Sequence, residues 1–177
     1  MSNIRPFRNT QPSLGTDVFV ADTALVIGDV TIGDQSSIWF HSVLRGDINT
    51  IRVGVRTNLQ DGTVVHVDAG TNPVVIHDEV TIGHHATIHG CVIESRCLIG
   101  MGATILSGAV VKSGALVAAG SLVREGQVVP EKTVVAGVPA KVVRDISAEE
   151  RDMITNSASH YVDYTRIYLN QEGITRQ

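Results

Sequence analysis

Histidines 66, 84 and 89 are the residues of this 177-residue chain whose type and spacing best suit chemistry. Arg45, Asp47 and Asp61 accompany them in sequence. A neutral imidazole binds zinc-like cations at about 2.0–2.1 Å, and three of them leave a coordination position open. Such a site brings the pKa of a bound water to about 7, which supplies hydroxide without a serine or cysteine nucleophile. The remaining histidines, at 41, 77, 85 and 160, read as surface or loop residues, and Cys91 as a small core residue.

For these side chains to meet, a repeat must position them. From Val20 an aliphatic residue returns every six positions, through Val26, Ile32, Ile38 and Leu44. The same phase resumes at Val53, Ile76 and Ile93 and continues to Val123, with glycines inside many segments. A helix would place apolar residues at i, i+3, i+4 and i+7 instead. Val and Ile between glycine turns suit short strands. Three hexads make one triangular coil, and coils stack at the ordinary strand spacing of about 4.8 Å. The expected fold is therefore mostly β: a left-handed parallel β-helix of hexapeptide repeats. Its hand is taken from the repeat class. Three steps break the phase: nine residues from Leu44 to Val53, eleven from Val65 to Ile76, and five from Ile88 to Ile93.

The register sorts the histidines. With insertions removed, Arg45, His66 and His89 each follow an anchor and fall in one column on three successive coils. Asp61 and His84 each lie two residues after an anchor and form a second column elsewhere on the triangle. Two imidazoles of one column can share an ion, but the third belongs to the other column. A closed cyclic assembly would bring column one of one subunit to column two of the next. The expectation is a homotrimer with metal at its interfaces, held by His66 and His89 of one chain and His84 of its neighbour. Arg45 and Asp61 suit orientation of ligands or water, and Asp47 is a natural partner for Arg45.

Arg45-Gly-Asp47, Asn58-Leu-Gln60-Asp61, His66 and the run from Gly83-His84 to His89-Gly-Cys91 together resemble the signature of gamma-class carbonic anhydrases. The likeness extends from Pro6 to about Arg144. It implies a homotrimer with interfacial zinc, or iron or cobalt, on His66, His84 and His89. It implies reversible hydration of CO2 to bicarbonate by a metal-bound hydroxide, a lyase activity. Gln60 would match the residue that hydrogen-bonds metal-bound solvent. Arg45 and Asp61 would match an ion pair across the interface, with Asp47 supporting the arginine. Tyr161 would match a helix tyrosine that reaches the site in some relatives. Ile48 stands where some active members carry a proton-shuttling acid, and Asp68 is the only acid of the short segment 67–73.

Composition narrows the alternatives. Charged residues make up 18% and the net charge is −4, so no basic stripe for nucleic acid is present. No apolar run approaches the ~20 residues that span a bilayer. Two cysteines six apart suggest reduced thiols, and with no secretion-like start the expected location is the cytoplasm. Residues 1–144 are expected to form the β-helix domain. Residues 145–177 should form a C-terminal α-helix packed on it, plus a tail. Ser147 to Glu150 reads as a capping box, and Met153, Ile154, Ala158, Tyr161, Thr165, Tyr168 and Leu169 as a partly apolar face. Two other functions fit this fold class: an acyl- or thioester-directed enzyme, and a metal-binding structural trimer with little catalysis.

Overall fold

The computed structural model describes residues 3–171. The chain winds into a left-handed parallel β-solenoid of about seven turns, closed by one C-terminal helix. Almost every strand is two or three residues long, because each hexad spends its other residues on a corner. Three stacks of anchors fill the prism. One runs Val26, Leu44, Val65, Ile88, Ile105 and Val123. A second runs Val20, Ile38, Leu59, Ile82, Ile99, Val117 and Val135. The third runs Ile32, Val53, Ile76, Ile93, Val111 and Val129. Nearly all are completely buried. Burying each such side chain stabilises by roughly 1.5–3 kcal/mol, so the stack can hold together without large aromatics.

The insertions leave this stack intact. Val43–Val53 is a single 11-residue strand that bulges between the first and third faces. It keeps Leu44 over Val65 and Val53 over Ile76. After a cis Val138–Pro139 bond, Lys141–Asp145 doubles back antiparallel on Thr133–Ala136 and ends the parallel stack.

The helix spans Ala148–Asn170 and begins with the expected capping box between Ser147 and Glu150. Ile154, Ala158, Val162 and Thr165 are its buried residues. Val162 thus belongs to the packed face, whereas Met153 points to solvent at 45% exposure. The helix lies against the second face, on Phe19–Val20, Ser37–Ile38 and Thr81–Ile82. Most of the few aromatic rings gather there. Trp39 sits 5.1 Å from Phe19 and from Tyr168, and 5.4 Å from Tyr161, in tilted or edge contacts. The tail expected after this helix lies, from residue 172, outside the described residues.

Candidate metal centre

Column one is built by three adjacent strands, Val43–Val53, Val64–His66 and Thr87–His89. Their parallel register puts Arg45 beside His66 and His66 beside His89. Strand spacing therefore stacks the two imidazoles, whose centroids are 5.2 Å apart. His66 Nδ1 lies 3.2 Å from His89 Nε2. The opposite nitrogen of each ring is engaged elsewhere. His66 Nε2 is 3.1 Å from Asp47 Oδ1, and His89 Nδ1 is 2.9 Å from Ser107 Oγ.

These outer partners determine where the protons are. Asp47 is partly buried, which opposes ionisation, but hydrogen bonds from Arg45 and His66 outweigh burial and hold its carboxyl below the usual range. An ionised carboxylate only accepts, so His66 carries its proton on Nε2. Ser107 hydrogen-bonds Asp68, whose carboxyl is also lowered, chiefly by Asn72 and then by Ser107. Ser107 must donate its proton there, so it accepts from His89 Nδ1–H. Consequently His66 Nδ1 and His89 Nε2 present lone pairs to each other at 3.2 Å. Two such lone pairs repel unless an electropositive centre lies between them. Two nitrogens bonded at about 2.0–2.1 Å to one tetrahedral ion would be about 3.4 Å apart, close to what is seen. The donor set therefore fits a divalent cation.

Column two joins Asp61 and His84. Asp61 Oδ2 accepts from His84 Nδ1 at 2.7 Å, which leaves the Nε2 lone pair available to a cation. Both side chains are 39% exposed. Beside them Gln60 is buried, and its amide donates to Asn58 Oδ1 at 3.3 Å. Asn58 donates to Thr81 Oγ1 at 2.9 Å, and Thr81 Oγ1 lies 3.1 Å from Ser157 Oγ on the helix. Tyr161 packs edge-on against Trp39. Burial, and then the nearby Asp61 charge, push its phenol above the usual value.

One chain therefore unites His66, His89, Asp47 and Arg45, and separately His84, Asp61, Gln60 and Tyr161. It does not bring His84 to the first pair. Among the described residues, no three histidine, cysteine or acidic side chains converge as a metal cage within the chain. Arg45 pairs with Asp47 rather than Asp61. Cys91 and Cys97 are free and buried, and burial pushes both thiols up to about 12, which removes them as ligands. Ser107, Asn49 and Thr81 enter the site unforeseen. Counting one coil onward from Gly90, across the one-residue deletion, would have reached Ser107.

No family model matches the chain. Similar proteins do. Gamma carbonic anhydrase 2, mitochondrial, of Arabidopsis thaliana is 49% identical over 92% of this chain, which spans only 60% of that relative. A Methanocaldococcus jannaschii protein named "Probable carbonic anhydrase" is 54% identical over 84% of this chain and 93% of its own length. Among solved structures, a hexapeptide transferase family protein from Anaplasma phagocytophilum superposes with a TM-score of 0.90. It is 40% identical, covering 93% of this chain and 97% of that one.

Proposed function

This chain belongs to the gamma-class carbonic anhydrase-like proteins of the hexapeptide-repeat superfamily, and on that premise we propose that it catalyses metal-dependent, reversible hydration of CO2 to bicarbonate at the interfaces of a homotrimer. The observation that carries the reading is the approach of two ring nitrogens, His66 Nδ1 and His89 Nε2, to 3.2 Å of each other. His66 and His89 of one subunit and His84 of the next would hold zinc, with iron or cobalt as substitutes. When bound, such a cation supplies a nucleophile at neutral pH by acidifying water.

The chain's own residues prepare that site. Asp47 fixes the tautomer and tilt of His66 while anchoring Arg45. Asp61 does the same for His84 and is free to meet the neighbour's Arg45. Gln60, tethered through one N–H to Asn58, keeps its carbonyl oxygen and second N–H to orient solvent or CO2. Tyr161 stays a neutral phenol, able to donate a hydrogen bond toward Asp61 and the substrate. In this reading residues 1–144 form the catalytic prism, and the segment from 145 fixes Tyr161 and Gln60 from outside.

Trimer formation is supported by what flanks the two columns. Ile48 and Val64, beside the His66 column, are 49% and 43% exposed, and Met101, one coil beyond His84, is 59% exposed. Apolar groups bracketing two half-sites suit surfaces that cover one another. A cytoplasmic setting goes with the two unpaired thiols. Among the described residues, no helix is long and apolar enough to cross a membrane.

Likeness to a hexapeptide transferase family protein gives an acyl-directed reaction as the second reading. Stopped-flow CO2 hydration on zinc- and iron-loaded protein separates the two. Hydration well above that of His89→Ala is expected. Equal rates, with turnover of an acyl thioester by the native chain, would overturn the proposal.

A further inference from the structure

We infer that the three breaks in the hexapeptide phase together form a brace that orients His89 for the cation, with Ser107 and Asp68 as positioning residues. The inference rests on the metal reading above.

Each break contributes a distinct part. The first insertion carries Asn49, whose Nδ2 donates to the Asp68 carbonyl at 2.9 Å. The second insertion carries Asp68 and Asn72. Asp68 N donates to the Asn72 carbonyl at 3.1 Å, and Asn72 Nδ2 donates to Asp68 Oδ2 at 2.9 Å. Those bonds pin the carboxylate so that Oδ1 lies 3.6 Å from His89 Nδ1. The five-residue step after Ile88 shortens the corner at Gly90. Ser107, two residues past anchor Ile105 as Gly90 is past Ile88, stands opposite it, and Gly108 N donates to the Gly90 carbonyl at 2.7 Å, a bond that the regular corners also make. Ser107 then sits between the two, accepting from His89 Nδ1–H and donating to Asp68.

Gly90 shows how tightly this closes. Its φ is +52°, and a Cβ there would lie 3.0 Å from Asn72 Cβ, 3.1 Å from Asp68 Oδ2 and 3.1 Å from Ser107 Oγ. Regular hexads have no use for such a loop, since the anchors before and after it keep their register. The brace serves one imidazole. It holds the proton on Nδ1 and directs the Nε2 lone pair toward His66. An outer partner of this kind changes metal affinity, on the order of 10–100-fold in comparable sites.

The test is cobalt and zinc affinity of the full-length protein, measured by competition with a chromophoric chelator, together with the visible spectrum of the cobalt form. Ser107→Ala should bind both ions 10- to 100-fold more weakly. Its metal-free melting temperature should stay within about 2 °C of the parent, a shift below ~1 kcal/mol. Ser107→Thr restores the hydroxyl and should restore affinity. Asn49→Ala, remote from the imidazole, should weaken binding in the same direction. If Ser107→Ala binds cobalt as tightly as the parent with an unchanged spectrum, while His89→Ala binds none, the brace is refuted and the metal site stands. If the parent itself binds neither ion, the metal reading fails and takes the brace with it.

Discussion

Thr81→Val tests whether the helix and the site are joined by one buried polar chain. Valine has threonine's shape, so the substitution deletes a hydroxyl without leaving a cavity. Thr81 and Asn58 are 3% and 1% exposed, so water cannot substitute. Asn58 Nδ2 would lose its 2.9 Å acceptor and keep only the Val80 carbonyl at 3.5 Å, the limit of a hydrogen bond. Ser157 Oγ would lose its 3.1 Å partner too, but it is half-buried and can turn to solvent. The cost is therefore set by one buried donor left unmade, about 1–3 kcal/mol. For a chain of this size that lowers the melting temperature by about 2–12 °C. Trp39 is the only tryptophan and contacts Tyr161 and Tyr168 of the helix, so its fluorescence reports helix undocking directly. Melts belong at one fixed protein concentration, because assembly itself contributes. Ser157→Ala should cost less, and the double variant should cost less than the two changes summed. A Thr81→Val melt within about 1 °C of the parent would refute the chain as a stabilising unit.

Three further outcomes are expected. Glu150 is held down to about 2 by Arg144 and then Ser147, against an ordinary 4.5, so its cap is complete above 4.5 and is lost as pH falls through about 2. Circular dichroism at 222 nm should lose helix in that window, and Glu150→Gln should flatten the transition. Cys91 and Cys97, with thiols pushed up to about 12, should resist a disulfide reagent at pH 8 until denaturant is added; rapid labelling of the native protein would contradict their burial. Zinc at about 100 times its dissociation constant should stabilise the protein by about 2.7 kcal/mol, read as a higher melting temperature that a chelator reverses. His84→Ala should abolish much of that shift if the neighbour supplies this ligand.

Much of this was legible because the repeat converts sequence distance into spatial distance. Counting hexads places Arg45, His66 and His89 in one column and Asp61 with His84 in another, and the strand register has those same neighbours. The helix was legible from its cap and for most of its inward face, with Ile154, Ala158 and Thr165 buried as expected. Val162 is buried and Met153 is not, since the helix seats on a flat wall carrying Phe19 and Trp39 rather than on a second helix. Polar neighbours such as Ser107 escaped because the register is defined by inward anchors. Side chains at the corners leave the face, and their reach depends on the turn.

The phase breaks explain why a fold this regular can carry a site at all. A perfect hexad stack presents identical columns, and an imidazole in one would be as free to rotate as any other surface side chain. Asn49, Asp68 and Asn72 exist only where the count departs from six, and Ser107 reaches His89 beside the shortened corner at Gly90. The prism supplies spacing, through strand stacking. The irregularities supply direction, by fixing which nitrogen of each ring bears a proton. Arg45 and Asp61 are left with their outer faces unmet by one another inside the chain. In the proposed trimer a second subunit would provide that missing direction.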